Sequence, residues 1–358
     1  GTRRQVEQQV KDNFPYLPAG CHMELDRIAS DIVLQSIKQS VPNRWQSKVQ
    51  ELRLLAASNS DVSIETYLHE TGLEIDDVYA SNKSWTELCR DADLSTLPAG
   101  PNEDSLLRAA GRLLHVDDPD RLTTYKRLVN LDTPPVLENL SIKDKRYLRM
   151  LIASLVDQVV EKTATLDECL LLVWQHPQVL KELSLLFEFL KTKVSHLAAS
   201  VDSLSEVPVS IHARYTRIEI LAAFGVGDKA RTPTWREGVL WADKAKADLL
   251  VFTLDKTSGH FSPTTRYRDY AISRDLIHWE SQAGTRAESN TGKRYQNHAK
   301  EGSKIMLFSR INSDERSFYF LGAANYVRHE SEMPMAITWK LDAPLPGDLF
   351  SSFAAAVA

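Results

Sequence analysis

Residues that could bind a nucleic-acid base are concentrated between positions 261 and 346 of this 358-residue chain. Aromatic side chains alternate there with Arg, Ser, Gln and Asn. A base drawn out of a duplex needs flat side chains to stack between and amide or hydroxyl groups to read its edge. The pattern predicts a base pocket with the stacking residues Tyr267, Tyr270, Trp279 and Tyr295 and the edge-reading residues Ser281, Gln282 and Asn297. Core packing is the alternative for the aromatic residues, and it is favoured for Trp279 and Trp339, which stand between apolar neighbours.

Basic residues of the same stretch could hold phosphates. Phosphate contacts position a protein on DNA and come chiefly from Arg and Lys. Residues 208–347 carry 20 Lys and Arg against 16 Asp and Glu, a net charge of +4, whereas the rest of the chain carries −9. Such asymmetry also occurs in two-domain proteins that bind no polyanion. The candidate phosphate-binding residues are Arg266, Arg268, Arg286, Lys293, Arg294 and Arg310.

Two motifs of phosphate chemistry are incomplete in this sequence. Residues 291–294 (Thr-Gly-Lys-Arg) resemble the end of a phosphate-binding loop, but Ala287 stands where the first glycine is needed. An arginine also replaces the hydroxyl residue that binds magnesium in such loops. His298 and Lys300 begin an HxKxxxxD pattern, yet Ile305 occupies the Asp position and no second copy follows. We therefore predict no nucleotide hydrolysis and no histidine nucleophile on this chain.

A metal-dependent active site is not supported either. Asp243, Asp248 and the adjacent Asp255 and Lys256 come near a PD-(D/E)xK nuclease motif. Adjacent residues of a strand point to opposite faces, so this pair could not share one metal, and a nuclease is only a minor alternative. The ten histidines show no paired-ligand spacing. We expect no catalytic residue, no metal site and no cofactor on this chain.

The periodicity of the apolar residues changes near residue 205. Before it, spacings of three and four residues predict helices: 22–38, a short helix capped by Ser63 and ended at Gly72, one starting at 73–79, 103–114, 141–162, 165–173 and 176–198. After it, a helix over 215–224 precedes short apolar runs at 249–254, 304–309, 317–321 and 335–341, which predict strands. The predicted class is α+β, with a helical region over 1–205 followed by a β-rich, barrel-like domain over 206–350.

Cysteine usage and hydropathy predict a cytoplasmic protein. Cys21, Cys89 and Cys169 are scattered and form no CxxC pair, which fits reduced thiols better than disulfides. No run of about 18 apolar residues occurs, so we expect no membrane contact. The chain opens on Gly-Thr rather than Met, which suggests a fragment of a longer protein.

A resemblance to a known family is densest over residues 208–346. The segments YTRIEILAAFG (215–225), FSPTTRYRDYAIS (261–273), HWESQ (278–282), TGKRY (291–295) and MPMAITW (333–339) resemble the C-terminal domain of unknown function found on bacterial superfamily-2 helicases. Residues 14–37 resemble the stretch that joins those helicases to that domain. The full-length proteins resemble single-chain, modification-dependent (type IV) restriction endonucleases with a phospholipase-D-like nuclease.

That resemblance implies a non-catalytic fragment made of a helical coupler and a target-recognition domain. The implied partners are double-stranded DNA with methylated or hydroxymethylated cytosine, and the helicase and nuclease domains of the parent chain, acting against foreign DNA. ATP and a divalent metal are expected only in those parent domains. The reader would be a small barrel related in outline to base-flipping SRA/PUA-like domains. The alternative is a protein-interaction or dimerisation module of the helicase, with a second copy of the chain as a partner.

Overall fold

The computed structural model describes residues 45–59, 62–194, 199–201, 204–255 and 269–357, together with residues 29, 32 and 33. Helices α1 to α12 cover Trp45–Ser58, Ile64–Thr71, Ile75–Tyr79, Trp85–Asp91, Glu103–Ala110, Pro119–Val129, Ile142–Val156, Leu166–Trp174, Pro177–Lys191, Arg217–Ala223, Asn290–Asn297 and Gly347–Val357. None of the helices described in these ranges is both long and apolar enough to cross a membrane.

A serine cap and a glycine mark the two ends of α2, as the sequence predicts. Ser63 accepts a hydrogen bond from the Thr66 N–H at the start of α2, and Gly72 ends that helix in the left-handed region with φ 69°. The helices predicted from residues 103, 141, 165 and 176 are confirmed as α5, α7, α8 and α9, each within two residues at its start. The helix predicted over 22–38 lies outside the described residues, apart from residues 29, 32 and 33, which are helical.

The second half of the chain contains a mixed sheet. Strands β1 to β10 cover Ala199–Ser200, Ser210–Ile211, Arg214–Thr216, Val239–Ala242, Ala247–Thr253, Tyr270–Ala271, Leu276–Glu280, Lys304–Arg310, Ser317–Glu330 and Ala336–Leu341. The order across the main sheet is β4-β5-β8-β9-β10-β7-β6, with β3 also paired to β9. Only β5 and β8 run parallel among these described pairs. Helices followed by a mixed sheet confirm the predicted α+β class.

The barrel predicted from the spacing of the strands is wrong. Strands β4 and β6 are the two ends of the pairing order and do not pair with each other within the described chain, so the sheet is open. The hydrophobic pattern of each strand identifies which residues are buried. It does not specify whether the first and last strands meet, because closure depends on strand tilt and stagger across the whole sheet.

By packing, the chain forms two compact units whose boundary differs from the change of secondary structure near residue 205. Of the described residues, the first unit contains those up to Leu114 and His176–Phe189, and the second contains His115–Gln175 and those from Leu190 onward. Helices α6, α7 and α8 therefore belong to the same unit as the sheet, although they are helical like the elements of the first unit.

Glu182 organises the first unit. Its carboxylate accepts hydrogen bonds from the Tyr79 hydroxyl at 2.8 Å and from the N–H groups of Trp85 and Thr86 at 3.3 and 2.8 Å. Burial raises the pKa of Glu182, and these hydrogen bonds oppose that shift. The side chain joins α3 and α9 to the first turn of α4, whose N–H groups have no partner within the helix.

The sheet of the second unit has apolar residues on both faces. Strand β5 is buried along its whole length. On one face, the ring of Phe308 packs edge to face against Phe224, which follows α10, at 6.2 Å. On the other face, α11 and α12 contribute Tyr295 and Phe353 to a core that includes the strands β7 and β10. The helices on both faces explain why the central strands read as continuous apolar runs.

Candidate nucleic-acid interface

One row of side chains crosses the sheet on the face opposite that core. The register pairs Tyr270 of β6 with His278 of β7, His278 with Thr338 of β10, and Thr338 with Arg328 of β9. Residues that are directly paired in neighbouring strands point to the same face. Tyr270, His278, Thr338 and Arg328 therefore form one row, here called the exposed row after its two exposed ends, Tyr270 and Arg328; between them His278 is half-buried and Thr338 is buried.

The outer end of the exposed row is a stacked ring pair. The rings of Tyr270 and His278 lie 4.6 Å apart with 20° between their planes. Tyr270 is 37% exposed, and β6 ends the pairing order of the sheet. A flat ring that is partly exposed can stack with a nucleic-acid base, because every base has an aromatic face.

Cations lie at the inner end of the row. Arg328 is 68% exposed and pairs with the equally exposed Glu330 at 3.3 Å. Such a surface pair is weak and is screened by salt, so the guanidinium can exchange this partner for a phosphate. One row further along the sheet, Lys340 is paired with Leu276 and Asn325, and its side chain is exposed. This face therefore offers a stacking surface beside positive charge.

The turn that precedes β7 holds the ring pair in place. The Ser273 hydroxyl donates to Asp275 at 2.7 Å inside the turn. Arg274 donates to the carbonyl of Leu345 at 2.6 Å, and the N–H of Leu345 donates back to the Arg274 carbonyl at 2.7 Å. On the other side of Tyr270, the buried Asp269 accepts from the Glu280 N–H at 3.0 Å. These bonds fix β6 on β7 and position Tyr270.

Three of the predicted site residues lie outside the described residues. They are Arg266, Tyr267 and Arg268. The described chain resumes at Asp269, directly before Tyr270. Tyr270 is thus the first described member of the predicted pocket.

Three other predicted pocket residues are buried, and they belong to the core instead of an open pocket. Trp279 is 3% exposed and Tyr295 1% exposed, and their rings meet edge to face at 5.8 Å. Both also contact Trp339, at 6.4 and 6.1 Å. Ser281 is fully buried and its hydroxyl accepts from the Met335 N–H at 2.9 Å. These contacts occupy the surfaces that a base would need.

Two predicted phosphate-binding arginines have partners inside the protein. Arg294 donates two hydrogen bonds of 2.7 Å to the buried Asp248. Burial raises the pKa of Asp248, and Arg294 opposes that shift. Arg310 donates to the Thr253 hydroxyl at 2.9 Å and to the Glu315 carbonyl, and its guanidinium lies over a phenylalanine ring. A phosphate could bind either arginine only by displacing these partners.

The remaining predicted residues lie on the loop after β7 and on α11. Gln282, Arg286 and Lys293 are exposed, and Lys293 pairs with Glu288 at 3.1 Å. Asn297 is half-buried and donates to the Lys293 carbonyl at 3.0 Å. Gln282 and Arg286 follow the end of β7, and Arg286 donates to the sulfur of Met333 at 2.9 Å.

Sequence reasoning missed His278, Thr338, Arg328 and Lys340. The alternation of polar and apolar residues over 276–280 contained a signal for His278, since it places this side chain opposite Trp279. The register that aligns His278 with Thr338 and Arg328 joins strands about 50 residues apart. No local pattern encodes that alignment.

Comparison with known families matches the sheet of the second unit. Residues 209–353 match the sequence model of a domain of unknown function (DUF3427), which is found in helicase-associated proteins. The match includes β2 to β10 and both ends of the exposed row. No curated protein matches the chain.

Proposed function

We propose that the chain binds duplex DNA carrying methylated or hydroxymethylated cytosine and reads the modified base after it leaves the duplex. In this proposal the chain is the non-catalytic reader of a longer type IV restriction enzyme, and it couples recognition to helicase and nuclease domains that act on foreign DNA. ATP and a divalent metal would act in those domains. The match of residues 209–353 to a domain of helicase-associated proteins supports this context.

The observation that carries the proposal is the ring pair of Tyr270 and His278 in one row with Arg328. An exposed aromatic ring contributes about 1–3 kcal/mol per stacked base. A guanidinium on the same face can hold the backbone of that strand. Because Tyr270 is 37% exposed, a base drawn out of the duplex can reach its ring.

Removal of the exposed ring tests the proposal directly. Fluorescence anisotropy would measure the affinity of the full chain for duplexes with cytosine, 5-methylcytosine or 5-hydroxymethylcytosine. We expect tighter binding to one of the modified duplexes. Tyr270→Ala should weaken that binding about ten- to a hundredfold, whereas Tyr270→Phe, which keeps the ring, should change it little.

Controls separate a binding role from a structural one. Trp279→Ala should lower the free energy of unfolding by about 3–5 kcal/mol, because it empties a core position, whereas Tyr270→Ala should leave the melting temperature nearly unchanged. Arg328→Ala should weaken binding to all duplexes. It should also reduce the slope of log affinity against log salt concentration by about 1, the value for one lost phosphate contact. Arg316→Ala is its matched control, since this exposed arginine precedes the opposite end of β9, roughly 40 Å along the strand. Equal affinity of the Tyr270→Ala variant and the wild type for the modified duplex would exclude the proposed site.

A protein-interaction or dimerisation module of a helicase is the second candidate. It is favoured by exposed apolar side chains in the matched domain, namely Ile272, Val327 and Met333. Association through such side chains depends little on salt, whereas phosphate contacts give a steep salt dependence. Sedimentation velocity of the chain, with and without DNA across a range of salt concentrations, distinguishes the two functions.

A further inference from the structure

A cavity of about 520 Å³ lies in the second unit and shares no residue with the exposed row. It is bordered by the segment that follows α7, by α10 and by the loop between α10 and β4, and it is partly open to solvent. Small-molecule sites in proteins typically measure about 300–1,000 Å³. The cavity is large enough for a ligand of nucleotide size.

The lining of this cavity is positively charged. Four cations outnumber two carboxylates among its residues: Lys162, Arg217, Lys229 and Arg231 against Asp157 and Asp228. The resulting net charge of +2 matches the charge of about −1.5 to −2 that a phosphate monoester carries near pH 7. The threonine hydroxyls of Thr232 and Thr234 add neutral hydrogen-bonding groups to the same wall.

Arg231 lies in the cavity wall, and part of its side chain is accessible there. Its guanidinium lies 3.4 Å from Asp157 and donates to the Val160 carbonyl at 3.2 Å. The side chain is 23% exposed, whereas its Nε atom is buried and finds no hydrogen-bond partner among the described residues. Because the contact with Asp157 is longer than an ideal hydrogen bond, the accessible part of the guanidinium can bind an anion in the cavity.

Arg217 adds a second guanidinium in an unfavourable environment. It lies over the ring of Trp235 at 5.1 Å and donates to the Trp235 and Glu237 carbonyls at 3.0 and 2.7 Å. Burial and the nearby charge of Arg310 lower the pKa of Arg217 to about 10. An anion in the cavity would offset both effects, because it supplies the negative charge that the site lacks.

The loop that closes the cavity has a defined conformation. Gly227 has a φ of 74°, and a Cβ atom there would lie only 3.1 Å from the Pro233 side chain. Arg149 donates to the carbonyls of Val226 and Lys229, at 2.8 and 3.0 Å, on either side of this glycine. Two of the four cationic side chains, Lys229 and Arg231, are thus presented by a loop that is tied to α7, which lowers the cost of ordering them around a ligand.

We propose that this cavity binds the phosphate group of a nucleotide, either a free nucleoside monophosphate or a nucleotide of a bound DNA strand. The cationic residues hold the phosphate. The apolar part of the wall, formed by Ile218, Leu221, Pro233 and Trp235, contacts the rest of the nucleotide. The site is independent of the proposed reading of modified bases.

Isothermal titration of the full chain with AMP, adenosine and inorganic phosphate tests the site. We expect AMP to bind and adenosine to bind at least about tenfold more weakly. The double variant Lys162→Gln/Lys229→Gln should weaken AMP about tenfold or more. Lys229 has only a long 3.9 Å contact with Asp228, and Lys162 is exposed, so the fold should survive. Lys300→Gln, an exposed lysine outside the cavity, is the matched control and should leave AMP binding unchanged.

Competition with duplex DNA distinguishes the two sources of the phosphate. AMP that still binds when DNA is saturating identifies a site for a free nucleotide. Displacement of AMP by DNA, with weaker DNA binding by the double variant, identifies a DNA phosphate. Equal binding of AMP and adenosine, or unchanged AMP affinity in the double variant, would overturn the proposal. So would a failure of AMP to bind the wild type at about 1 mM.

Discussion

At the scale of single residues, Glu219 holds a charge inside the second unit. Its carboxylate pairs with Arg121, which is fully buried, and with His115 at 2.7 Å, and it accepts from the Thr216 N–H at 2.7 Å. Burial alone would raise the pKa of Glu219, but Arg121 and His115 outweigh burial and hold it below its ordinary value. A buried charge of this kind is tolerated only because its partners are complete.

Replacement of this carboxylate should therefore be costly at neutral pH. Glu219→Gln leaves the Arg121 guanidinium buried without a counter-charge, and we expect a loss of about 3–5 kcal/mol in the free energy of unfolding. Because the pKa is lowered in the folded state, the stabilisation by the charge is present above the ordinary carboxyl pKa. This stabilisation is lost as the pH falls from the ordinary carboxyl pKa towards the lower pKa of Glu219 in the folded state.

Urea unfolding at several pH values from about 7 to 3 would measure both effects. The wild type should lose stability on acidification more steeply than Glu219→Gln, so the difference between them should shrink. The matched control is Glu288→Gln, whose carboxylate is exposed and pairs with Lys293 on the surface. A constant difference between wild type and Glu219→Gln over this range would contradict the assignment.

At the scale of elements, α11 lies unusually close to the loop before it. A Cβ atom at Gly292 would overlap the carbonyl oxygen of Arg286 and lie 2.9 Å from that of Ala287. The Gln296 side chain also donates to the Ala287 carbonyl at 2.9 Å. This approach places Tyr295 in the core of the sheet, so the glycine determines where the helix sits.

Gly292→Ala should accordingly move α11 and weaken the core. We expect a loss of about 1–3 kcal/mol, since the backbone atoms that it meets cannot rotate away as a side chain would. Gly284→Ala is the matched control, because a Cβ atom there meets nothing within 4 Å, and its effect should stay within about 0.5 kcal/mol. Denaturant unfolding of both variants checks this prediction. Equal stability of the two variants would show that the loop before α11 moves to make room for the added Cβ atom at no measurable cost.

At the scale of the whole molecule, the helices before residue 176 supply buried partners to the domain that matches the family. Tyr215 donates to Asp118 at 2.9 Å, and Arg214 donates to Asp117 through its backbone N–H at 2.8 Å and its side chain at 2.9 Å. Together with the partners of Glu219, these bonds cross the boundary that the sequence pattern places near residue 205. A domain that began there would lose them.

A fragment of residues 206–358 should for this reason be much less stable than one of residues 115–358. The shorter fragment leaves Glu219 buried without its cationic partners, and removal of one partner of a buried pair costs about 3–5 kcal/mol. Thermal unfolding followed by circular dichroism would compare the two fragments with the full chain. Equal melting temperatures for both fragments would show that the helices contribute little to the sheet domain.

The sequence by itself located part of the local structure of the described chain. The cap at Ser63 and apolar spacing located several helices to within a few residues at their starts, because both depend on neighbours in the chain, whereas α1, α4 and α6 were not predicted. Alternation over 276–280 contained the signal that separates His278 from Trp279, although the sequence analysis did not use it. The concentration of aromatic and basic residues also included Tyr270, the one predicted pocket aromatic that is exposed in the described chain.

Only the tertiary structure decided which of these residues meet. The alignment of His278 with Arg328, the burial of Tyr295 and the open edges of the sheet depend on contacts between segments far apart in sequence. Arg294 illustrates the reason. Its charge predicted a phosphate contact, yet its guanidinium already donates to Asp248, which lies 46 residues away in the sequence. A residue type defines the interactions that a side chain can make, and the fold determines which partner lies within reach of that side chain.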